Sequence, residues 1–275
     1  MSAPGPQRFA VVSDIHGNLV ALDAVIADLQ GRGIDVVWNL GDLLSGPLWP
    51  AQTADRLMAL GWPTIRGNHE RQVLHLAPAD QGESDRHAAA ELRPAHRAWL
   101  EGLPGSLRPH DDVLCCHGTP TSDLIYLLET VTDDLGRVDR RGASSPGLRQ
   151  ASDDEVLARL GAASGALVLC GHTHLPRARR LRRGPLVVNP GSVGLPAYDD
   201  AHPHPHLVEN GSPHARYAVV ERRPAGWTAA LHRVAYDWEA AARQAECNGR
   251  GDWADALRTG WVGRRETDVT AGGAA

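Results

Sequence analysis

Lysine is absent, and all 28 basic side chains are arginine. That excludes a Schiff-base lysine, the lysine of a P-loop and the lysine of a kinase-type site. A basic field is missing too, because 33 carboxylates outnumber the arginines and leave a formal charge of −5. No global attraction to nucleic acid or to an anionic membrane follows, so small anions must be bound locally. Phenylalanine occurs once and methionine twice, which leaves eight Trp with Leu, Val and Ala to fill the core. Four cysteines, at 115, 116, 170 and 247, lack CxxC spacing, and adjacent Cys115 and Cys116 do not readily bridge each other. Reduced thiols and a cytoplasmic setting are expected. No apolar run approaches 18 residues, and the start, MSAPGPQRFAVVSDIHGN, has no apolar stretch behind a basic one. The chain therefore reads as neither exported nor membrane-bound.

Histidine, by contrast, occurs 14 times, and the chain repeats one grammar. An apolar run from Phe9 to Val12 ends in Ser13-Asp14-Ile15-His16-Gly17-Asn18, after which Leu19, Leu22, Val25, Ile26 and Leu29 recur at helical spacing. Val36 to Leu40 runs into Gly41-Asp42 before a helix over about 51–60, and Pro63 to Arg66 runs into Gly67-Asn68-His69-Glu70. Polar residues and glycines thus gather at C-terminal strand ends, where open α/β sheets bind ligands. Residues 80–100 read as helical, 133–150 as a long loop, and Asp153 to Leu160 as a helix capped by Ser152. Buried strands over 113–116 and 166–170 end in His117-Gly118 and Gly171-His172-Thr173-His174. Strands over 177–183, 186–188, 216–221 and 227–234 suggest a meander, and helices over about 237–247 and 252–259 close the chain. No fixed-period repeat or internal boundary is visible, so 1–275 reads as a single domain with flexible ends at 1–7 and 261–275.

Five strand ends deliver Asp14 and His16, Asp42, Asn68 and His69, His117, then His172 and His174. Imidazole and carboxylate without thiolate suit a borderline divalent ion such as Mn, Fe, Zn or Co. Some seven ligands are too many for one four-coordinate zinc and fit two metals sharing a carboxylate.

In this order, Asp-x-His at 14–16, Gly-Asp at 41–42, Gly-Asn-His-Glu at 67–70, His-Gly at 117–118 and Gly-His-x-His at 171–174 resemble the calcineurin-like metallophosphoesterase superfamily. Asn189-Pro190-Gly191-Ser192-Val193-Gly194 resembles the loop that follows them in its small bacterial and archaeal phosphodiesterase branch. The resemblance implies an α/β (α+β) fold: a four-layer αββα sandwich of two mixed β-sheets flanked by helices, with a dinuclear centre at its edge. It implies that Asp14, His16, Asp42 and His174 hold one metal and Asp42, Asn68, His117 and His172 the other, Asp42 bridging. A hydroxide shared by two divalent ions would be the nucleophile. Mn is the first choice of metal, with Fe, Zn, Co or Ni as alternatives. His69 would act as transition-state stabiliser or general acid rather than ligand.

Departures from the Ser/Thr phosphatase branch select among activities. Gly46 stands where that branch has its phosphate-clamping Arg, and His117-Gly118 runs into Thr119-Pro120-Thr121. A dianionic monoester favours bidentate Arg recognition, whereas a monoanionic diester can rely on metals and His. A phosphodiesterase acting on a phosphodiester or nucleotide phosphate bond is expected. A phosphomonoesterase or a diadenosine tetraphosphate hydrolase is the alternative, and a scaffold that lost catalysis is a third reading.

Other residues have two readings each. Glu70 either orients a ligand or caps a helix. His202, His204, His206 and His214, among alternating prolines, fit a solvated or lid loop better than a metal site. Arg177, Arg179, Arg180, Arg182 and Arg183 could hold a polyphosphate but fit a solvated hairpin better. Arg71 reads as a helix-surface charge, with a phosphate contact as the alternative, and Cys115 and Cys116 read as core.

Overall fold

The computed structural model describes residues 7–264. Strand β1 (Arg8–Val12) sets the layering by its period of two: Phe9 and Val11 face one core, Ala10 and Val12 another, and all four are buried. Helix α1 (Leu19–Gly31) covers the Ala10 and Val12 face with Leu22, Val25, Ile26 and Leu29, and the Asn18 side chain caps it by accepting from Ala21 N–H. Strand β2 (Val37–Asn39) and helices α2 (Pro50–Leu60), α3 (Asn68–His75), α4 (Glu83–Glu91) and α5 (Pro94–Glu101) follow. Strands β3 (Ser106–His110), β4 (Val113–Cys116), β5 (Glu129–Val131) and β6 (Leu148–Gln150) lead to helix α6 (Asp153–Leu160). Then come β7 (Leu167–Leu169), β8 (Arg177–Arg180), β9 (Leu186–Asn189), β10 (Ala197–Asp200) and β11 (His206–Glu209). Strands β12 (Ala215–Arg223) and β13 (Gly226–Val234) and helices α7 (Trp238–Cys247) and α8 (Gly251–Thr259) complete the order.

Two mixed sheets form the centre, in the orders β13-β12-β1-β2 and β3-β4-β7-β9-β8. In the first, only β1 and β2 run parallel; in the second, β4, β7 and β9 do. Phe9, Val11, Trp38 and Leu40 from one sheet pack on Val113, Cys115, Leu167, Leu169 and Val188 from the other. The single Phe is placed between two Trp, its ring 3.8 Å from that of Trp38 and 5.6 Å from that of Trp227. Cys116, Val168, Cys170 and Val187 face outward onto Val156 and Leu160 of α6. This alternation yields the expected four layers, helix, sheet, sheet, helix. All four cysteines are free thiols, and Cys115, Cys116 and Cys170 are buried. Among the described residues no helix is long and apolar enough to cross a membrane.

Several local expectations are corrected. Residues 63–66 form no strand: Thr64 makes an isolated bridge to Asn39, and Pro63, lacking an N–H, contributes only its carbonyl. The helix over 80–100 is broken at Leu92 and Arg93, both extended, because Pro94 disfavours helical geometry before it. The loop over 133–150 ends early, since Leu148–Gln150 pairs with Glu129–Val131. The meander is two hairpins in different sheets, β8-β9 and β12-β13. Ser152 does cap α6: its hydroxyl accepts from Glu155 N–H at 3.2 Å while Glu155 accepts from Ser152 N–H at 2.7 Å. Of the ends expected to be flexible, 1–6 and 265–275 lie outside the described residues, whereas Val262 N–H donates to Glu209 and Arg264 pairs with Asp255.

Candidate metal centre

The parallel strands β1, β2, β4 and β7 end at one edge of the sandwich, and their following loops interlock by backbone hydrogen bonds. Asp14 N–H donates to Gly41 O, Ile15 and His16 N–H to Asp42 O, and Gly171 N–H to His117 O. The loop at 189–194 closes the set: Val193 N–H donates to Ser13 O, Gly194 N–H to Asp14 O, and Asn189 Nδ2 to Gly171 O. Two groups of donor atoms result, Asp14 with His16 and His174, and Asp42 with His117 and His172, each group lying within 4.8 Å of itself. Each mixes ligand types from both sheets. Asn68 joins the second group, its Oδ1 3.1 Å from His117 Nε2, while its Nδ2 donates to Gln72. Asp42 Oδ2 is 2.9 Å from the same His117 nitrogen. The structure thus brings all seven expected ligands together.

Backbone geometry marks the same residues. The non-glycine residues with positive φ among those described are Asp14 (56°), His16 (51°), Asp42 (53°), His172 (69°) and His174 (54°). Left-handed geometry costs a residue with a Cβ about 1–2 kcal/mol, and such strain persists where surroundings over-determine it, commonly at functional sites. Gly67 is required for close approach, because a Cβ there would lie 2.1 Å from Asp42 Oδ1.

The protonation of these side chains suits a cation among them. His16, His117 and His174 each have Nδ1 within 2.7–2.8 Å of a backbone carbonyl, of Ser45, Leu40 and Leu195 respectively. A ring whose Nδ1–H donates outward turns the Nε2 lone pair inward. The Nε2 atoms of His16 and His174 are 3.0 Å apart, and two facing lone pairs repel unless a positive centre lies between them. Burial together with His174 lowers the His16 pKa to about 3, and burial together with His117 lowers that of His172 to about 4. Burial raises the pKa of Asp42, but His117, His69 and His16 overcome it and hold the carboxylate well below its usual range. Burial lowers that of His117, but Asp42 overcomes it and raises it to about 9, so the buried carboxylate favours positive charge beside it.

Other side chains hold these donors. Buried Glu70 accepts from the N–H groups of Asp42 (2.9 Å), Leu43 (2.7 Å) and Gly67 (2.7 Å), so it orients the ligand loop and does more than cap α3. His69 is outside both donor groups; its Nδ1 lies 2.8 Å from Oδ1 of Asp85 on α4, and its ring meets that of His16 edge-on at 5.4 Å. Residues 201–205, with His202 and His204, are exposed as the solvated-loop reading expects, and the correction is confined to 206–209, which pairs with β10 as β11 so that alternation buries His206 and Val208. His206 does not join the metal donors. Its Nε2 is 2.9 Å from Tyr126 Oη, which is 2.7 Å from Tyr198 Oη, and Tyr198 donates to His172 O. Asn210 Nδ2 donates to His174 O, so two side chains of this hairpin region grip the loop that carries His172 and His174. Nothing in the spacing of Asp85, Tyr126, Tyr198 or Asn210 announces these contacts. Two residues of the arginine run form ion pairs within the protein, Arg177 with Glu129 and Arg179 with Asp153.

A protein of Methanocaldococcus jannaschii that is uncharacterized is 24% identical over 270 residues, 89% of this chain and 94% of its own length. A metallophosphoesterase structure from Sphaerobacter thermophilus superposes with a TM-score of 0.68 at 24% identity, covering 92% of this chain and 99% of that one. A structure provisionally assigned as a diadenosine tetraphosphatase reaches 0.51 at 18% identity, covering 85% and 96%. These likenesses show a shared fold. Residues 7–176, which carry both of the grouped carboxylate and imidazole sets and Asn68, match the calcineurin-like phosphoesterase family, and the chain belongs to that family of phosphoester hydrolases.

Proposed function

We propose that the chain is a dinuclear-metal phosphodiesterase that hydrolyses phosphodiester or nucleotide phosphate bonds of a small substrate in the cytoplasm. The observation that carries this reading is the pair of donor groups at one sheet edge, each with carboxylate and imidazole gathered within 4.8 Å. Asp14, His16, Asp42 and His174 would hold one cation and Asp42, Asn68, His117 and His172 the other. When bound, the two cations supply Lewis-acid activation of water and offset phosphate charge. Mn is the first choice, and Fe, Zn, Co or Ni suit the same donors.

His69 performs the remaining proton chemistry. Asp85 accepts from Nδ1–H and fixes the ring, which leaves Nε2 to carry a proton toward the departing oxygen or to stabilise charge on the phosphoryl group. The diester preference is supported by Gly46. A Cβ there would lie 2.6 Å from His16 O and 2.7 Å from Trp253 Cη2, so the position of the phosphatase-type Arg admits no side chain.

Purified protein, stripped with chelator and reloaded with Mn, is expected to hydrolyse a bis-aryl phosphate diester faster than the matching monoester, with diadenosine tetraphosphate as a third substrate. A strong monoester preference sinks the diester assignment. Absence of metal-dependent hydrolysis of all three sinks the enzymatic reading.

A further inference from the structure

The loop after His117 has no part in the chemistry above, yet it is folded tightly against the centre. A Cβ on Gly118 would lie 2.7 Å from the carbonyl oxygens of Ser122 and Ile125 and 3.1 Å from the carbonyl carbon of Asp123. Asp123 is therefore beside the His117 block. Its carboxylate takes Arg71 in a two-pronged pair, Nε to Oδ2 at 2.7 Å and Nη2 to Oδ1 at 2.8 Å. Arg71 follows Asn68 by three residues on α3 and so shares its helix face. The pair thus joins two ligand blocks while staying open to solvent, at 36% and 27% exposure. The Asp42 charge acts on both partners, which agrees with a position at the rim of the centre. Next along the loop, Leu124 and Ile125 are about half exposed.

We propose that Arg71, Asp123 and the loop over 119–125 form a charge filter at the mouth of the site, one that admits a singly charged phosphate diester and discriminates against a doubly charged monoester. A free guanidinium would grip a dianionic phosphate with two parallel N–H bonds. Asp123 occupies the Nε and Nη2 edge that such a phosphate would use and cancels the charge that would attract it. The apolar Leu124 and Ile125 then suit the second alcohol group of a diester better than a bare terminal phosphate. This inference rests on the phosphoesterase reading above.

Asp123→Asn removes the carboxylate charge at nearly constant shape. In the metal-replete variant the ratio of kcat/KM for an aryl monoester over that for the bis-aryl diester is expected to rise about three- to fivefold, the scale of a partly exposed ion pair. Inorganic phosphate should bind tighter by a similar factor in calorimetry. Arg71→Gln leaves Asp123 uncompensated and should move both quantities the other way. Should Asp123→Asn lose metal by loosening the His117 block, Asp123→Ser and Arg71→Gln carry the same test. Unchanged ratios and phosphate affinities in metal-replete variants overturn the filter. If metal-replete wild type hydrolyses neither ester, the phosphoesterase reading falls first and the filter with it.

Discussion

His69 and Asp85 form a dyad across two helices, Nδ1 to Oδ1 at 2.8 Å, although 16 residues separate them in the chain. The carboxylate is 5% exposed and the imidazole 29%, so one partner is fixed in the protein and the other reaches toward solvent and the metal donors. Asp85→Asn keeps the shape but loses the charge that fixes the tautomer and favours the imidazolium. It is expected to lower kcat about 10- to 100-fold, the usual effect of removing an orienting partner, while metal content stays at the wild-type level. A variant with full turnover would remove Asp85 from the mechanism.

The same pair makes the metal-free protein sensitive to pH. Burial disfavours the charged ring of His69, but Asp42 and Asp85 outweigh it and raise the pKa to about 10. A pKa raised above the unfolded value of about 6.5 gives stabilisation that is complete below that pH and fades as pH climbs through about 10. The gap in Tm between chelated wild type and chelated His69→Gln should therefore be widest near pH 6 and shrink toward pH 10. Calorimetry across that range checks it, and a gap that widens with pH contradicts it.

Glu70 accepts three backbone N–H groups with two oxygens, and an amide cannot do so. Glu70→Gln turns an NH2 group toward at least one of those donors. Leaving a buried donor unsatisfied costs about 1–3 kcal/mol, so urea unfolding should show a loss of that size or more, together with weaker metal binding. Wild-type stability would mean that the loop holds Asp42 without this carboxylate.

Tyr198→Phe and Asn210→Ala each release one carbonyl of the loop carrying His172 and His174. Outer-shell losses of this kind cost about 10- to 100-fold in metal affinity. Competition with a metal-binding dye should detect the loss in both variants. Unaltered affinity would reduce the β10-β11 hairpin to packing alone.

How legible the centre was in the sequence depended on chain locality. Asp14, His16, Asp42, His117, His172 and His174 each follow an apolar strand within a few residues, so sheet geometry carried them to a common edge. Asp85 and Tyr198 are different: they reach the centre through the packing of α4 and of a hairpin, relationships with no fixed spacing. Prolines among His202, His204 and His206 suggested an open loop, yet the alternation His206, Leu207, Val208, Glu209 paired as a strand and buried His206. The strand expected over 63–66 failed for the opposite reason, since Pro63 cannot donate to a ladder.

The sheet origin of the donors has a mechanical consequence. Asp14, His16 and Asp42 extend from the sheet containing β1 and β2, whereas His117, His172 and His174 extend from the one containing β4 and β7. Each ion would therefore rivet one sheet to the other across as many as 160 residues of intervening chain, a closure like that of a crosslink in a protein whose cysteines are all free. Ions that bind only this closed arrangement stabilise it in proportion to the logarithm of their concentration. Metal supply would then set the stability of the sandwich itself.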